Sequence, residues 1–150
     1  MSSVVEDINI ALEGVIAGVL GADYNPLLFK WSVEKNDFRN NSKMYGSMPL
    51  GGSQETGVIK SYTIAQTYEF VLTHNYINRD GDEDKQAKTF MLFEKSHAIL
   101  KEVIRSKVGL PGSVLNIEGI DFLDPEFFEP DNIVVQRTRL FILYRNTITA

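Results

Sequence analysis

The stretch Val58–Tyr76, VIKSYTIAQTYEFVLTHNY, decides the fold of this chain because its hydrophobicity repeats every two residues. From Tyr62 onward, aromatic and aliphatic side chains alternate with small, hydroxylated or acidic ones. Successive side chains of a strand leave opposite faces of a sheet, so this period predicts a β-strand. One face would pack on a core, and the other, with Thr63 and Thr67, would be wet or meet a partner. At roughly 3.3 Å per residue the strand would span about 50 Å, enough to project beyond its own core.

Length and composition are those of one globular domain, residues 1–150. The chain is 43% hydrophobic and 11% aromatic, which excludes wholesale disorder. It has no cysteine, so disulfides and thiolate metal sites are excluded. A net charge of −5 disfavours a dedicated nucleic-acid binder. Without a basic, apolar leader or about 20 consecutive apolar residues, we expect no secretory signal, no membrane span and a cytoplasmic location.

Two helices are predicted from apolar residues at helical spacing. The first follows Ser3 and ends at Gly21, and its Gly14 and Gly18 would allow close packing on a sheet. The second covers residues 84–107. Its predicted apolar face consists of Ala87, Phe90, Met91, Phe93, Leu100, Ile104 and Val108.

Three further strands are predicted at Leu27–Lys35, Val114–Leu123 and Ile133–Tyr144. The last is apolar on both faces near its end, which favours an interior position in the sheet. The elements then follow the order α-β-β-α-β-β. This pattern predicts an α+β fold, with a mostly antiparallel four-stranded sheet and both helices packed on one face.

Two non-regular segments carry apolar residues that suit a subunit or partner interface. The polar, glycine-rich segment 36–57 reads as a long loop, which either orders against another chain or forms a mobile tip. The acidic turn Asp124–Asp131 exposes two phenylalanines. The candidate interface residues are Phe38, Met44, Tyr45, Met48, Leu50, Thr63, Thr67, Phe127, Phe128, Arg137 and Arg139.

Motifs of catalysis, cofactor binding and metal binding are missing from the sequence. It contains no nucleophile elbow, P-loop, dinucleotide-binding or zinc-protease motif. A calcium loop starting at Asp80 would need glycine at its sixth position and glutamate at its twelfth, where Lys85 and Met91 stand. The two histidines, His74 and His97, have no metal-ligand spacing. We therefore expect no enzyme, no cofactor and no metal.

The order and texture of these elements resemble the tail terminator, or tail-completion, proteins of bacteriophages. The resemblance is carried by the helix VVEDINIALEGVIAGVL (4–20), by the alternating strand with its acidic turn and long helix (62–104), and by the ending VLNIEGIDFLDPEFFEPDNIVVQRTRLFILYR (114–145). It extends over nearly the whole chain.

The resemblance implies a homohexameric ring that caps the tail tube, ends its polymerisation and joins it to the neck. Implied partners are further copies of the chain, the tail tube protein, a neck or head-completion protein and, in a contractile tail, the sheath protein. DNA would pass through the ring without sequence recognition, and no membrane partner is implied. The implied location is the head-proximal end of the virion tail, with assembly in the host cytoplasm. The alternative is a small cytosolic α+β ligand-binding domain or enzyme.

Overall fold

The computed structural model describes residues 4–26, 43–58, 61–77, 81–106, 111, 114–129 and 132–147. Within these ranges the chain forms two helices and a six-stranded mixed sheet, which confirms the α+β class. The predicted strand Leu27–Lys35 and the predicted interface residue Phe38 lie outside the described residues.

The elements in chain order are α1 (Val4–Leu20), β1 (Asn25–Pro26), β2 (Met44–Val58), β3 (Ser61–Asn75), α2 (Glu83–Ser106), β4 (Val114–Phe122), β5 (Glu126–Phe128) and β6 (Ile133–Thr147). The long alternating strand is confirmed as β3, and both predicted helices are present. The prediction of four strands in the order α-β-β-α-β-β is wrong in detail, because β1, β2 and β5 were not foreseen.

The strand order in the sheet is β1-β2-β3-β6-β4. Strands β4 and β5 both pair with the edge of β6 that faces away from β3, at opposite ends of that edge. The β3–β6 ladder is continuous from Ser61 opposite Thr147 to Asn75 opposite Ile133. It makes β6 an interior strand, as its two apolar faces predicted. All pairs are antiparallel except β1 with β2, which makes the sheet mixed.

Strand β2 corrects the prediction of a loop over residues 36–57, because the chain from Met44 onward pairs with β3. Its glycines, serines and proline hide the period of two from the sequence. The register shifts between Pro49 and Gly52 and again between Gln54 and Gly57. Strand β2 forms because the backbone of the neighbouring β3 completes the hydrogen bonds of its backbone. The side chains of β2 carry no sign of this pairing.

Side chains also tie β2 to α1. The Ser47 hydroxyl lies 2.9 Å from Asn9 Oδ1, and the Ser47 amide donates to Glu13 Oε1 at 3.3 Å. Burial raises the pKa of Glu13, and its hydrogen bonds from Ser47 oppose that rise. Strand β2 is therefore part of the folded core layer.

The main core lies between the sheet and both helices. Helix α1 buries Ile8, Leu12, Ile16 and Leu20, a stripe with a spacing of four residues. The sheet contributes Tyr68, Phe70, Leu72, Val134, Leu140, Ile142 and Tyr144, and α2 contributes Leu92, Ile99, Leu100 and Val103. Both helices thus pack on one face of the sheet, as predicted. The Tyr68 hydroxyl donates to the Val5 carbonyl at 3.0 Å, which fixes α1 along β3.

The glycines of α1 do not serve the role predicted for them. Gly14 and Gly18 are exposed, and a Cβ added at either would meet nothing within 4 Å. They lie on the outer side of the helix, opposite the buried stripe, so close packing on the sheet does not explain them. Gly21 does end the helix as predicted, with φ of 81° and its amide bonded to the Ala17 carbonyl at 2.9 Å.

The packed face of α2 is rotated from the predicted one. Phe90 and Ile104 were assigned to the core but are 59% and 50% exposed. The buried positions are Leu92, Ser96, Ile99, Leu100 and Val103. The Ser96 hydroxyl donates a hydrogen bond to the Leu92 carbonyl at 2.8 Å, so a polar residue can occupy the buried stripe.

The outer strands of the described sheet are irregular. Strand β1 covers β2 only at Met44 and Tyr45, so along the rest of β2 the described residues place no strand on this edge. Strand β4, on the opposite edge, shifts register between Val114 and Asn116 and again between Ile117 and Gly119. Bulges of this kind occur preferentially at sheet edges.

Candidate assembly interface

We call the side of the sheet opposite the two helices the outer face. Alternation along β3 places Thr63, Thr67 and Glu69 there, and the ladder places Phe141 beside Thr67 and Arg139 beside Glu69. Of the predicted interface residues on β3 and β6, Thr63, Thr67, Arg137 and Arg139 therefore lie on this face. The period of two assigns side chains to a face within each strand, so the sequence groups Thr63 with Thr67 and Arg137 with Arg139, and the β3–β6 register sets the two pairs on one face.

An ion-pair network crosses the outer face. The Glu69 side chain is 1% exposed, and its two oxygens lie 3.8 Å from Arg137 Nη1 and 3.7 Å from Arg139 Nε. Arg137 also donates through Nε to Glu126 Oε1 at 2.9 Å, which joins β5 to β6. The Arg137 side chain is 11% exposed and that of Arg139 is 40% exposed. Arg139 is consequently the arginine that can reach a partner, whereas Arg137 holds the fold.

The end of the outer face near β5 is an apolar cluster. Met44, Val71, Ile133 and Val135 are buried in it, and Phe128 packs against them. Met44 and Phe128 were predicted as interface residues, but the fold of the subunit already uses both. The remaining candidates from β2 are partly buried: Tyr45 packs against the main core, and Met48 and Leu50 lie farther along the strand.

The predicted acidic turn contains the short strand β5, and side-chain hydrogen bonds and ion pairs hold this segment on both faces of the sheet. Glu126 pairs with Arg137 on the outer face. On the helix side Glu129 accepts a hydrogen bond from the Tyr76 hydroxyl at 2.9 Å and pairs with Lys85 at 3.4 Å. The Tyr76 hydrogen bond, followed by Lys85, holds the pKa of Glu129 below its ordinary value. Burial raises the pKa of Tyr76 to about 12, and Glu129 adds to that rise.

Phe127 separates from Phe128 because neighbouring side chains of a strand leave opposite faces. Phe127 lies on the helix side, 39% exposed, with the Lys85 ammonium 4.4 Å from its ring centroid. Its ring also meets Tyr76 edge-on at 6.2 Å. Phe127 is therefore an aromatic ring held in a fixed place but still open to a partner.

A cleft of about 310 Å³ opens between Phe127 and the first turns of α2. It is lined by Gly81, Asp82, Lys85, Gln86, Thr89, Phe90 and Phe127. Sequence reasoning missed this cleft because it assigned Phe90 to the core. No local signal in the sequence reveals it, because the exposure of Phe90 follows from the rotation of α2 that buries Leu92, Ser96 and Ile99.

The predicted interface residues thus fall into two surfaces. Thr63, Thr67 and Arg139 share the outer face with the half-exposed Phe141, which is 37% exposed. Phe127 belongs to the cleft on the helix side. Gly119 supports the first surface, because a Cβ at this position would come within 3.1 Å of Phe141 Cδ2.

The described part of the chain contains neither a grouping of metal ligands nor a helix that could cross a membrane. There, no three histidine or acidic side chains are grouped so that they could hold a metal ion. No described helix is both long and apolar enough to cross a membrane.

Comparison with known proteins shows a shared fold and no family. No family model matches the chain, and no curated protein matches it. Among solved structures, a chain of the virion of a native gene transfer agent particle is similar to it, with a TM-score of 0.52 and 11% identity. The match covers 97% of this chain and 98% of that chain. The two proteins share their architecture from end to end, at a sequence identity that shows the fold alone.

Proposed function

We propose that this chain is a structural protein of a phage-like particle and that its copies form a hexameric ring that caps a tail tube. The observation that supports this most is the full-length fold match to a chain of a gene transfer agent virion. The same role is consistent with the arrangement of α1, the long β3, α2 and the paired strands β5 and β6.

In this proposal the ring ends tube polymerisation and joins the tube to a neck or head-completion protein. In a contractile tail it would also meet the sheath protein. DNA passes through the lumen without base readout, which needs no basic reading surface and agrees with the net charge of −5. The protein would assemble in the host cytoplasm and reside at the head-proximal end of the tail.

Closed rings use heterologous contacts, in which two different patches of one subunit meet on neighbouring copies. The chain offers two such patches, the outer face with Arg139 and Phe141 and the cleft with Phe90 and Phe127. Each contains an exposed aromatic ring next to a charged side chain. Aromatic residues and arginine are the side chains most enriched at such contacts.

The second candidate function is a monomeric ligand-binding domain, and the cleft of about 310 Å³ is the observation that favours it. Pockets for small molecules usually start near this volume. Light scattering and negative-stain imaging separate the two functions. A ring, alone or on added tail tubes, supports the assembly role; a strict monomer under both conditions would overturn it.

The cleft gives the first prediction, on the variant Phe127→Ser. Because Phe127 is partly exposed and Phe128 packs on buried residues, Phe127→Ser should impair ring formation while changing the melting temperature little. Phe128→Ser should instead lower the melting temperature of the subunit.

The matched control is Ile104→Ser, which removes an exposed apolar side chain of α2 that does not line the cleft (50% exposed, against 39% for Phe127) and should assemble normally. Normal assembly of Phe127→Ser, measured by light scattering, would remove the cleft from the interface.

A further inference from the structure

A compact polar cluster lies on the helix side of the sheet, away from the outer face and from the role proposed above. Tyr24 follows α1, and His74 stands near the end of β3. The two side chains are 7% and 8% exposed, and their rings meet edge-on with centroids 6.0 Å apart. Three lysines surround this pair.

The Tyr24 hydroxyl is buried and has no hydrogen-bond partner among the residues that the structure describes. Buried polar groups are nearly always paired, and leaving one unpaired is costly. Burial, followed by the charge of Asp23, raises the pKa of Tyr24 to about 12. The group is therefore a protonated hydroxyl, able to donate a hydrogen bond to an acceptor that enters from outside the chain.

The lysines reach the cluster from two elements. Lys95 Nζ lies 5.4 Å from the centroid of the Tyr24 ring. Lys88 precedes Lys95 by two helical turns, and so it shares the same side of α2. Lys43 lies opposite His74, since the next ladder pair is Met44 with Thr73.

The charge balance of the cluster is positive. Burial lowers the pKa of His74 first, and Lys43, Lys88 and Lys95 lower it further, while its hydrogen bond to the Asn75 carbonyl opposes them. The nearby carboxylates are Asp84, 3.8 Å from Lys88 Nζ, and Asp23, which acts on Tyr24. Among the described charges that act on His74, all three are lysines, in a chain whose net charge is −5.

His74 adds a hydrogen-bond acceptor. Its Nδ1 lies 2.7 Å from the Asn75 carbonyl oxygen, so Nδ1 carries the proton and Nε2 keeps its lone pair. A phosphate that retains a proton can donate to such a nitrogen and accept from the lysines and the Tyr24 hydroxyl. Lysine serves as a point charge for phosphate, whereas planar carboxylates are matched better by arginine, which does not contribute to this cluster.

We propose that Tyr24, His74 and the lysines Lys43, Lys88 and Lys95 bind a phosphate-type oxyanion. The Tyr24 hydroxyl and the ammonium groups donate to its oxygens. Binding gives the buried hydroxyl the acceptor that the described residues do not supply. The site does not depend on ring formation, so the two proposals can fail separately.

Calorimetric titration with inorganic phosphate, at an ionic strength fixed with sodium chloride, tests the site. We expect Lys95→Gln to weaken binding at least about tenfold, because it removes one charged hydrogen-bond donor. The control Lys101→Gln makes the same change on an exposed part of α2 and should bind as the unaltered chain does. Absent binding, or equal affinity in both variants, would overturn the proposal.

Tyr24→Phe supplies a test that a merely structural tyrosine would fail. The variant loses only a hydroxyl for which the described part of the chain provides no partner, so its unfolding free energy in chloride should not fall. Its affinity for phosphate should fall several-fold. Unchanged affinity would show that the hydroxyl is not a ligand and would refute the site.

A duplex DNA arm identifies the source of the phosphate. Displacement of bound phosphate by DNA in excess assigns the site to a phosphodiester backbone. Retention of phosphate assigns it to free phosphate or a monoester, as the lone pair on His74 favours.

Discussion

Glu69 is the residue on which the outer face is organised. Its carboxylate is buried between Arg137 and Arg139, and Arg137 is shared with the half-exposed Glu126. Removing one member of a buried ion pair leaves the other charge uncompensated, whereas an exposed pair contributes little. Two acids that pair with the same arginine therefore differ in energetic weight.

This difference predicts the effects of Glu69→Gln and Glu126→Gln. The first should lower the unfolding free energy by about 3 kcal/mol. The second should lower it by less than about 1 kcal/mol. Urea unfolding followed by circular dichroism measures both, and equal losses would contradict the assignment of Glu69 as the buried centre.

His74 predicts a pH dependence of stability. Its folded pKa is lowered from 6.5, chiefly by burial, so the unfolded chain binds the proton more readily than the folded one. The stability that follows from this difference is present above pH 6.5 and is lost as pH falls toward the folded value.

We therefore expect the unfolding free energy to fall between about pH 7.5 and about pH 5.5, and to fall less steeply in His74→Gln. Urea titrations at several pH values give the two slopes. The control His97→Gln changes the exposed histidine of α2 and should follow the unaltered chain. Equal slopes for His74→Gln and the unaltered chain would contradict the prediction.

Helix α1 contains two glycines whose backbone freedom the fold does not need. Gly14 and Gly18 are helical, exposed and surrounded by open space. Glycine within a helix costs about 1 kcal/mol relative to alanine. The subunit alone therefore gains nothing evident from either glycine.

Replacing Gly14 or Gly18 by alanine should raise the unfolding free energy by up to about 1 kcal/mol each. Gly21→Ala is the opposite control, because φ of 81° strains an alanine and should lower stability. Thermal unfolding measures all three. A loss of stability in Gly14→Ala would show a contact that the isolated subunit lacks.

The sequence predicts some of these elements and not others. Strand β3 and helix α1 were predictable because their periods of two and of about four are written in their own side chains. Strand β2 was not, because its pairing depends on β3 and its bulges interrupt any period. The face of α2 was misjudged because Phe90 and Ile104 are apolar but exposed, whereas the buried Ser96 is polar.

At the scale of the molecule, the candidate interface was predictable only in part. Strand alternation groups Thr63 with Thr67 from the sequence, whereas the β3–β6 register is needed to place Arg139 on the same face. The opposite directions of Phe127 and Phe128 depend on β5, which is a strand only because β6 lies beside it. The cleft requires α2 and β5 to be adjacent, a tertiary fact that no local pattern contains.

The register shifts in β2 and β4 affect how copies of the chain behave when they are close together. Regular, uncovered strands can recruit the strands of other copies and grow without limit, which is the route to fibrils. In β2 and β4 the pairing geometry is interrupted twice each, so neither edge offers a long regular template. Lateral growth of the sheet from one copy to the next is thereby discouraged.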